Sequence, residues 1–250
     1  MATEGVPELS VVIPVHNEAE NIVPLLEEIA RALEGVAAWE AVVVDDRSED
    51  DTVRRLEAAA ARMPRLRVVR HARNAGQSAA ILSGVRFARA PLVVTLDGDG
   101  QNDPADIPKL LSTWRTLTGR LPPGTPVLAA GQRLARRDTF VTRASSRIAN
   151  AVRGRLLGDH TSDTGCGLKL FEREAFLALP AFDHMHRFLP ALFLRAGGAV
   201  VPVSVGHRPR TRGRSHYGIG NRLWVGIVDL LGVMWLMRRV KHPGATEARG

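Results

Sequence analysis

Residues 92–101 read Leu-Val-Val-Thr-Leu-Asp-Gly-Asp-Gly-Gln: a short, Val-rich run that ends in two carboxylates, Asp97 and Asp99, two positions apart. A continuous apolar run of this length, bounded by turn residues, suits a strand buried on both faces of a parallel sheet. Similar runs lie on either side of it, at Leu9–Ile13, Ala41–Asp45, Arg67–Arg70 and Val127–Ala130. Amphipathic stretches alternate with them at Glu18–Leu33, Asp51–Arg62, Gly76–Ala88 and Asp106–Leu117. Asp50-Asp51-Thr52 and Asp103-Pro104 read as helix starts. The alternation predicts an α/β fold, an open and mostly parallel sheet with right-handed crossovers and flanking helices.

In such sheets ligands bind beyond the carboxyl ends of the strands. Here four successive ends are polar. The first strand runs into Pro14-Val15-His16-Asn17-Glu18, the second ends in Asp45-Asp46-Arg47-Ser48, the third leads to Arg73-Asn74-Ala75-Gly76, and the fourth ends in Asp97-Gly98-Asp99-Gly100-Gln101. One aspartate after a strand is ordinarily a helix cap, but four loaded ends in a row mark a site. Asp97 and Asp99, with the neutral oxygen of Gln101, offer hard oxygen ligands suited to Mg2+ or Mn2+, which keep open positions for diphosphate oxygens. A departing diphosphate develops negative charge that such an ion stabilises.

The chain has 250 residues with a net charge of +8. Residues 131–155 and 207–222 together carry twelve arginines against one aspartate, so the rest of the chain is slightly acidic. Clustered arginine points to phosphate, in a nucleotide, a lipid head group or a nucleic acid. Nucleic acid is the poorest fit, because the chain has one tyrosine, Tyr217, few aromatics for base stacking and no nucleic-acid motif. A single cysteine, Cys166, excludes an intramolecular disulfide and a Cys-rich zinc site. The opening MATEGVPE lacks the pattern of a secretory leader, so the expected compartment is cytoplasmic. His184 and His186, two apart, read as surface or capping histidines rather than metal ligands, and Gly218-Ile219-Gly220 is not a dinucleotide fingerprint.

In their order and spacing, VVIPVHNEAENI, VVVDDRSEDDT, RNAGQSAAILSGVRFA and VVTLDGDGQNDP resemble family 2 glycosyltransferases of the GT-A, Rossmann-like fold. GQRLARR and TRASSRIAN, SDTGCGLKLF, HRFLPAL and VGHRPRTRGRSHYG narrow the resemblance to the dolichyl- or polyprenyl-phosphate sugar synthase branch, over roughly residues 8–240. The resemblance implies an inverting, metal-dependent, mannosyltransferase-like enzyme. It would move a sugar from a GDP- or UDP-sugar to a polyprenyl phosphate, giving a donor for envelope glycan or lipid modification. An alternative acceptor is a saccharide or other hydroxyl.

By the same resemblance Pro14, Asn17 and Glu18 line the nucleoside pocket, Asp45 and Asp46 contact base or ribose, and Asn74 and Gly76 shape that pocket. Asp97, Asp99 and Gln101 match the metal and diphosphate motif, and Asp163 faces the sugar. Arg133, Arg143 and Arg147 match positions that receive the acceptor phosphate. Arg210, Gly213 and Ser215 match a loop that closes over the donor phosphates. Two residues depart from the family pattern: His16 stands where a tyrosine is usual, and His216 where a lysine is usual. A histidine loses its charge near neutral pH, which shifts the loop's basic load toward Arg212 or Arg214.

An acceptor phosphate is already an anion and needs positioning and charge neutralisation more than a base. Guanidinium forks supply both. A hydroxyl acceptor needs a carboxylate base, for which Asp163 is the candidate.

Residues 143–157 read as a basic helix, TSDTGCGLKLF as a Gly-rich turn entering a strand, and Val200–Val205 as a strand. Leu223–Met237 runs fifteen residues between Arg222 and Arg238, about 22 Å as a helix and short of a bilayer core of about 30 Å. Leu223, Ile227, Leu230, Leu231 and Met234 share a face, with Trp224 and Trp235 near the ends. These features predict an interfacial helix with Asp229 turned to water, on the cytoplasmic face of the cell membrane, peripheral or monotopic. The other place for such a helix is a core or a homo-oligomer interface. The organisation expected is a GT-A domain over 1–221, with a nucleotide-sugar half at 1–130 and an acceptor half at 131–221. A membrane-interface helix and tail follow at 222–250.

Overall fold

The computed structural model describes residues 6–133, 154, 156–159, 161, 163–209 and 222–239. Five expected strands form, with slightly wider bounds in most cases: β1 Leu9–Val15, β2 Trp39–Asp45, β3 Leu66–Arg70, β4 Leu92–Thr95 and β5 Val127–Arg133. Two more follow, β6 Lys169–Glu172 and β7 Ala199–Val205. The helices are α1 Ile22–Leu33, α2 Thr52–Ala60, α3 Gln77–Phe87, α4 Ile107–Thr118, α5 Arg173–Leu177, α6 Leu189–Arg195 and α7 Arg222–Met237. Single 3-10 turns stand at Pro104–Asp106 and Met185–Arg187.

The seven strands form one sheet in the order β3-β2-β1-β4-β6-β5-β7. All neighbours are parallel except β6, which runs antiparallel to both β4 and β5. Period-2 alternation sends Val11 and Ile13 of β1 to the side covered by α1, α2 and α4, and Val12 to the side covered by α3 and α6. Both layers are closed by buried aliphatic residues, so the Val-rich strands are buried on two faces.

The chain builds outward from β1 through β2 to β3, then returns to place β4 on the other side of β1. That reversal opens a crevice beyond the carboxyl ends of β1 and β4, where such sheets bind ligands.

The first helix begins at Ile22, four residues later than expected. The amides that would start it earlier go to the β2–α2 loop: Asn17 N donates to Ser48 Oγ at 2.9 Å, Glu18 N to Thr52 Oγ1 at 2.9 Å, and Ala19 N to Asp50 Oδ2 at 3.2 Å. Asn17 takes the left-handed conformation, φ 58°, to make this turn.

Candidate active site

A cavity of about 390 Å³ fills the crevice, walled by Pro14, Val15, His16, Glu18, Asp46, Asn74, Gly76, Gln77, Ala80, Asp97, Gly98 and Asp99. Seven expected site residues therefore meet in one place: Pro14, Glu18, Asp46, Asn74, Gly76, Asp97 and Asp99. Glu18 is held by Asn21, whose Nδ2 donates to Oε2 at 2.7 Å.

Two neighbours of this wall serve it from behind. Asn17 accepts from the amide of Glu49 at 2.8 Å, fixing the β2–α2 loop. Asp45 is fully buried at the end of β2, accepts from the amide of Ser48 at 3.1 Å and lies 3.5 Å from Arg70. Direct contact of Asp45 with base or ribose is thus not what its position provides.

Asp46 faces the cavity, but its carboxylate also organises the next loop. It accepts from the amides of Ala75 at 2.8 Å and Gly76 at 2.7 Å, and lies 2.7 Å from His71 Nδ1. His71 in turn reaches Ser83 Oγ at 2.8 Å. Asn74 Nδ2 donates to the Asp46 carbonyl at 3.2 Å, and His16 Nδ1 lies 3.0 Å from the same oxygen. The aspartate therefore ties the third loop to the second strand end. His71 was not legible as a site residue, because nothing in its local sequence announces a partner 25 positions away.

Asp97 and Asp99 leave β4 at the floor of the crevice. Gly98 between them allows this, since a Cβ there would stand 2.6 Å from Val15 Cγ1 and 3.1 Å from the Pro14 carbonyl. Asp97 accepts from Gln77 Nε2 at 2.8 Å. Burial, and next the charge of Asp99, push its carboxyl up to about 6. Asp99 accepts from the amide of Gln101 at 3.1 Å, so Gln101 shapes the turn through its backbone. Among the described residues no group of three His, Cys, Asp or Glu side chains converges on a metal-sized site. Two crowded carboxylates still suit a Mg2+-like ion, which commonly takes one or two protein carboxylates and fills its other positions with water and phosphate oxygens.

Across the Gln77–Asp97 contact lies a second cavity, about 260 Å³, walled by both of those residues and by Ile81, Thr95, Gly165, Cys166, Gly167, Lys169, His186, Arg187 and Leu189. The Gly-rich turn closes it tightly: a Cβ on Gly167 would fall 2.2 Å from Asp97 Oδ2. Buried Lys169 holds this turn, its Nζ donating to the carbonyls of Thr164, at 3.2 Å, and Cys166. Cys166 is a small buried residue, as expected, and burial pushes its thiol up.

His186 is partly buried against α3 rather than fully exposed. It pairs with Ser78 Oγ at 2.7 Å, and burial followed by the nearby Lys169 charge pulls it down to about 3, so it is neutral at physiological pH. Arg133 and Asp163, assigned by resemblance to acceptor phosphate and sugar, are joined to each other at 2.7 Å.

The basic loop after β7 starts from a clamp. Arg208 reaches Glu28 at 2.5 Å and Asp103 at 2.8 Å, and its amide donates to the Gln101 carbonyl at 3.0 Å. The chain at Arg208 is thus anchored beside the Asp97–Gln101 turn. In the sequence alone Arg208 is one more positive charge of the basic loop. Arg143, Arg147, Arg210, Gly213 and Ser215 lie outside the described residues, as does most of the expected 143–157 helix.

On α7, Asp229 turns inward. Its Oδ2 lies 2.9 Å from His184 Nδ1, so it faces the body of the protein and not water. Val233 is buried, and Leu230 and Met234 pack beside it. The outward side shows Ile227, Val228, Leu231 and Trp235. No helix among the described residues is long and apolar enough to cross a membrane.

The sheet order and the Asp-Gly-Asp turn at its switch point define a GT-A-like glycosyltransferase fold. The chain belongs to glycosyl transferase family 2, whose model matches residues 10–179. It is 38% identical over 248 residues to dodecaprenyl-phosphate galacturonate synthase of Rhizobium johnstonii, covering 95% of this chain and 69% of that protein. It is 37% identical over 211 residues to undecaprenyl-phosphate 4-deoxy-4-formamido-L-arabinose transferase of Pseudomonas aeruginosa, covering 84% and 60%. The chain thus spans roughly two thirds of the length of these relatives. Glucosyl-3-phosphoglycerate synthase of Mycobacterium tuberculosis, solved with Mn2+ and UDP-glucose, shares the fold with a TM-score of 0.63 at 20% identity, over 95% of this chain and 81% of that one.

Proposed function

We propose that the chain transfers a sugar from a nucleoside diphosphate sugar to a polyprenyl phosphate at the cytoplasmic face of the membrane. The observation that carries this reading is the convergence of Asp97 and Asp99 with Pro14, Glu18, Asp46, Asn74 and Gly76 on one crevice at the sheet's switch point. The polyprenyl-phosphate relatives give the acceptor class its support. The donor nucleotide is UDP, as in the solved neighbour, or GDP.

In this reading the nucleoside lies along Pro14, Glu18, Asp46 and Asn74, and the diphosphate reaches Asp97 and Asp99. Mg2+ or Mn2+ held by these two carboxylates supplies charge stabilisation for the leaving diphosphate. Arg210 and Ser215 close over the donor phosphates, and Arg143 and Arg147 receive the acceptor phosphate. Arg133 serves that site through Asp163. Both oxygens of Asp163 are occupied by the Arg133 fork, which supports an acceptor that arrives as an anion over a hydroxyl needing a free base. The catalytic unit spans 1–221, and 222–250 holds it at the membrane surface.

The test is incubation with labelled nucleotide sugars and either polyprenyl phosphate or soluble saccharides, followed by organic extraction. Label entering the organic phase only with polyprenyl phosphate is the expected result. Label transferred to a soluble saccharide instead would overturn the acceptor.

A further inference from the structure

Gln77 opens α3 and stands in the wall between the crevice and the second cavity. Its place in the chain is fixed from both sides. The amides of Ala75 and Gly76 just before it are held by the Asp46 carboxylate, and the hydroxyl of Ser78 just after it is paired with His186. Gly76 turns the chain into the helix at φ 85°, a value that glycine adopts without strain.

From this fixed point the side chain reaches Asp97. Nε2 donates to Oδ1 at 2.8 Å, and among the described residues it is the only hydrogen-bond donor to that carboxylate. A charged carboxylate only accepts, so the amide must present its nitrogen and not its oxygen. On another side lies Gly167, where a Cβ would stand 2.2, 2.3 and 2.4 Å from Oδ2, Cγ and Oδ1. The carboxylate is thus packed on a glycine, with Oδ1 taken by Gln77 and Oδ2 left to meet a cation. We propose that Gln77 is a positioning residue for the metal site, setting the orientation in which Asp97 receives the ion. The proposal rests on the transferase reading, in which Asp97 holds the ion that meets the diphosphate, and adds the residue that aims it.

A group that hydrogen-bonds a metal ligand fixes its orientation, and losing one commonly costs about 10–100-fold in metal affinity or activity. Without the amide the carboxylate is free to turn about its last bond. Its charged form, which is the form that binds a cation, also loses the donor that stabilises it in an enclosed site. The run of contacts from Asp46 through Gly76 and Gln77 to Asp97 gives the arrangement a further consequence. The loop that lines the nucleoside wall is the loop that places the ion, so the two ends of a nucleoside diphosphate are held at a set spacing.

The experiment uses the full chain and isothermal titration of UDP and of GDP, each with saturating Mn2+ and again in chelator. The quantity read is the gain in nucleotide affinity that the metal confers. In the wild type that gain should be about tenfold or more for at least one nucleotide. Gln77→Met and Gln77→Leu keep the bulk and lose the amide. Each should lose about tenfold of the gain while affinity in chelator stays within about twofold of wild type. The glucose conjugate of the same nucleotide should lose as much as the bare nucleotide. Ser78→Ala cuts the neighbouring contact to His186 without touching Asp97, and should keep the gain within about twofold.

A folded Gln77→Met or Gln77→Leu that keeps the full gain overturns the proposal. So does an equal loss in Ser78→Ala, which would reflect a loosened helix, and so does a loss confined to the glucose conjugate, which would make Gln77 a sugar contact. If circular dichroism shows both Gln77 variants unfolded, the residue supports the fold rather than the ion, and the proposal fails. Wild-type binding of nucleotide with no gain from Mn2+ overturns the metal role of Asp97 together with its positioning. Failure of both nucleotides to bind overturns the transferase reading itself.

Discussion

Arg133 closes a two-point fork on Asp163, with Nε and Nη2 each 2.7 Å from a carboxylate oxygen, while the arginine's own amide donates to Oδ2 at 3.2 Å. The end of β5 is thereby tied to the start of the Gly-rich turn that packs against Asp97. The two side chains are only 11% and 12% exposed, so water screens the pair little. Removing one partner leaves the other charged and largely enclosed, at a cost of about 3–5 kcal/mol. Arg133→Met and Asp163→Leu should each lose that much in urea denaturation, and the double variant should lose clearly less than their sum. Strict additivity would show that the fork is not a coupled unit.

The carboxyl of Asp97 gives a second prediction, with a definite sign. In the unfolded chain it titrates near 3.8, and in the metal-free fold near 6. Between those values the folded protein keeps a proton that the unfolded chain has released. Its contribution to stability therefore falls as pH rises from about 4 to about 6, and above that the deficit is constant at roughly 3 kcal/mol. Asp97→Asn should thus be more stable than wild type at pH 7.5 in chelator, by up to that amount, and lose the advantage below pH 4. Turnover should be abolished at every pH. A variant less stable than wild type at pH 7.5 would mean that the carboxylate holds the fold together rather than straining it.

His186 works in the opposite direction. Its imidazole is held near 3 against 6.5 in the unfolded chain, so below about 6.5 the unfolded state binds a proton that the folded state refuses. The stability it contributes is complete above 6.5 and is lost as pH falls toward 3. His186→Gln, which can still bond Ser78, should flatten the acid limb of the stability profile between pH 6.5 and 4. An unchanged slope in thermal melts across that range would show that the histidine is not buried neutral.

Much of this arrangement is written locally in the chain. The short Val-rich runs at 9–13, 41–45 and 92–96, bounded by Pro, Asp and Gly, read as doubly buried strands, and in a parallel sheet the residues at their carboxyl ends meet at the crevice. Pro14, Glu18, Asp46, Asn74, Gly76, Asp97 and Asp99 were therefore legible as one site. Whether a strand-end carboxylate turns outward or inward was not. Asp45 and Asp46 are adjacent, and only three-dimensional packing sends the first to Ser48 and Arg70 and the second to the cavity. Lys169–Glu172 gave no sign that it would insert antiparallel between β4 and β5, because its pairing partners lie 39–43 and 74–80 positions away. The same distance hid Arg208's clamp on Glu28 and the bond from His186 to Ser78.

The C-terminal helix supports the last prediction, and its inward face changes which residues test it. Asp229, Leu230, Val233 and Met234 look toward the body, where Asp229 meets His184 and Val233 is 2% exposed. The outward face carries Val228, Leu231 and Trp235, exposed by 63%, 59% and 61%, with Ile227 at its edge and Arg238 and Arg239 just beyond. An apolar stripe closed by an aromatic and two arginines is the arrangement of a helix lying at an anionic interface. Because Asp229 faces protein, it adds no cost to such contact. Charging Leu230 would disturb the packed side and confuse unfolding with release from membrane. Val228→Glu with Leu231→Glu instead changes only outward positions, so the melting temperature should stay within a degree or two of wild type, as expected for surface substitutions worth about ±0.5 kcal/mol. Binding to anionic liposomes in a sedimentation assay should fall sharply at both low and high salt. A folded double variant that still sediments like wild type would move the anchor elsewhere and leave this stripe as a contact for protein.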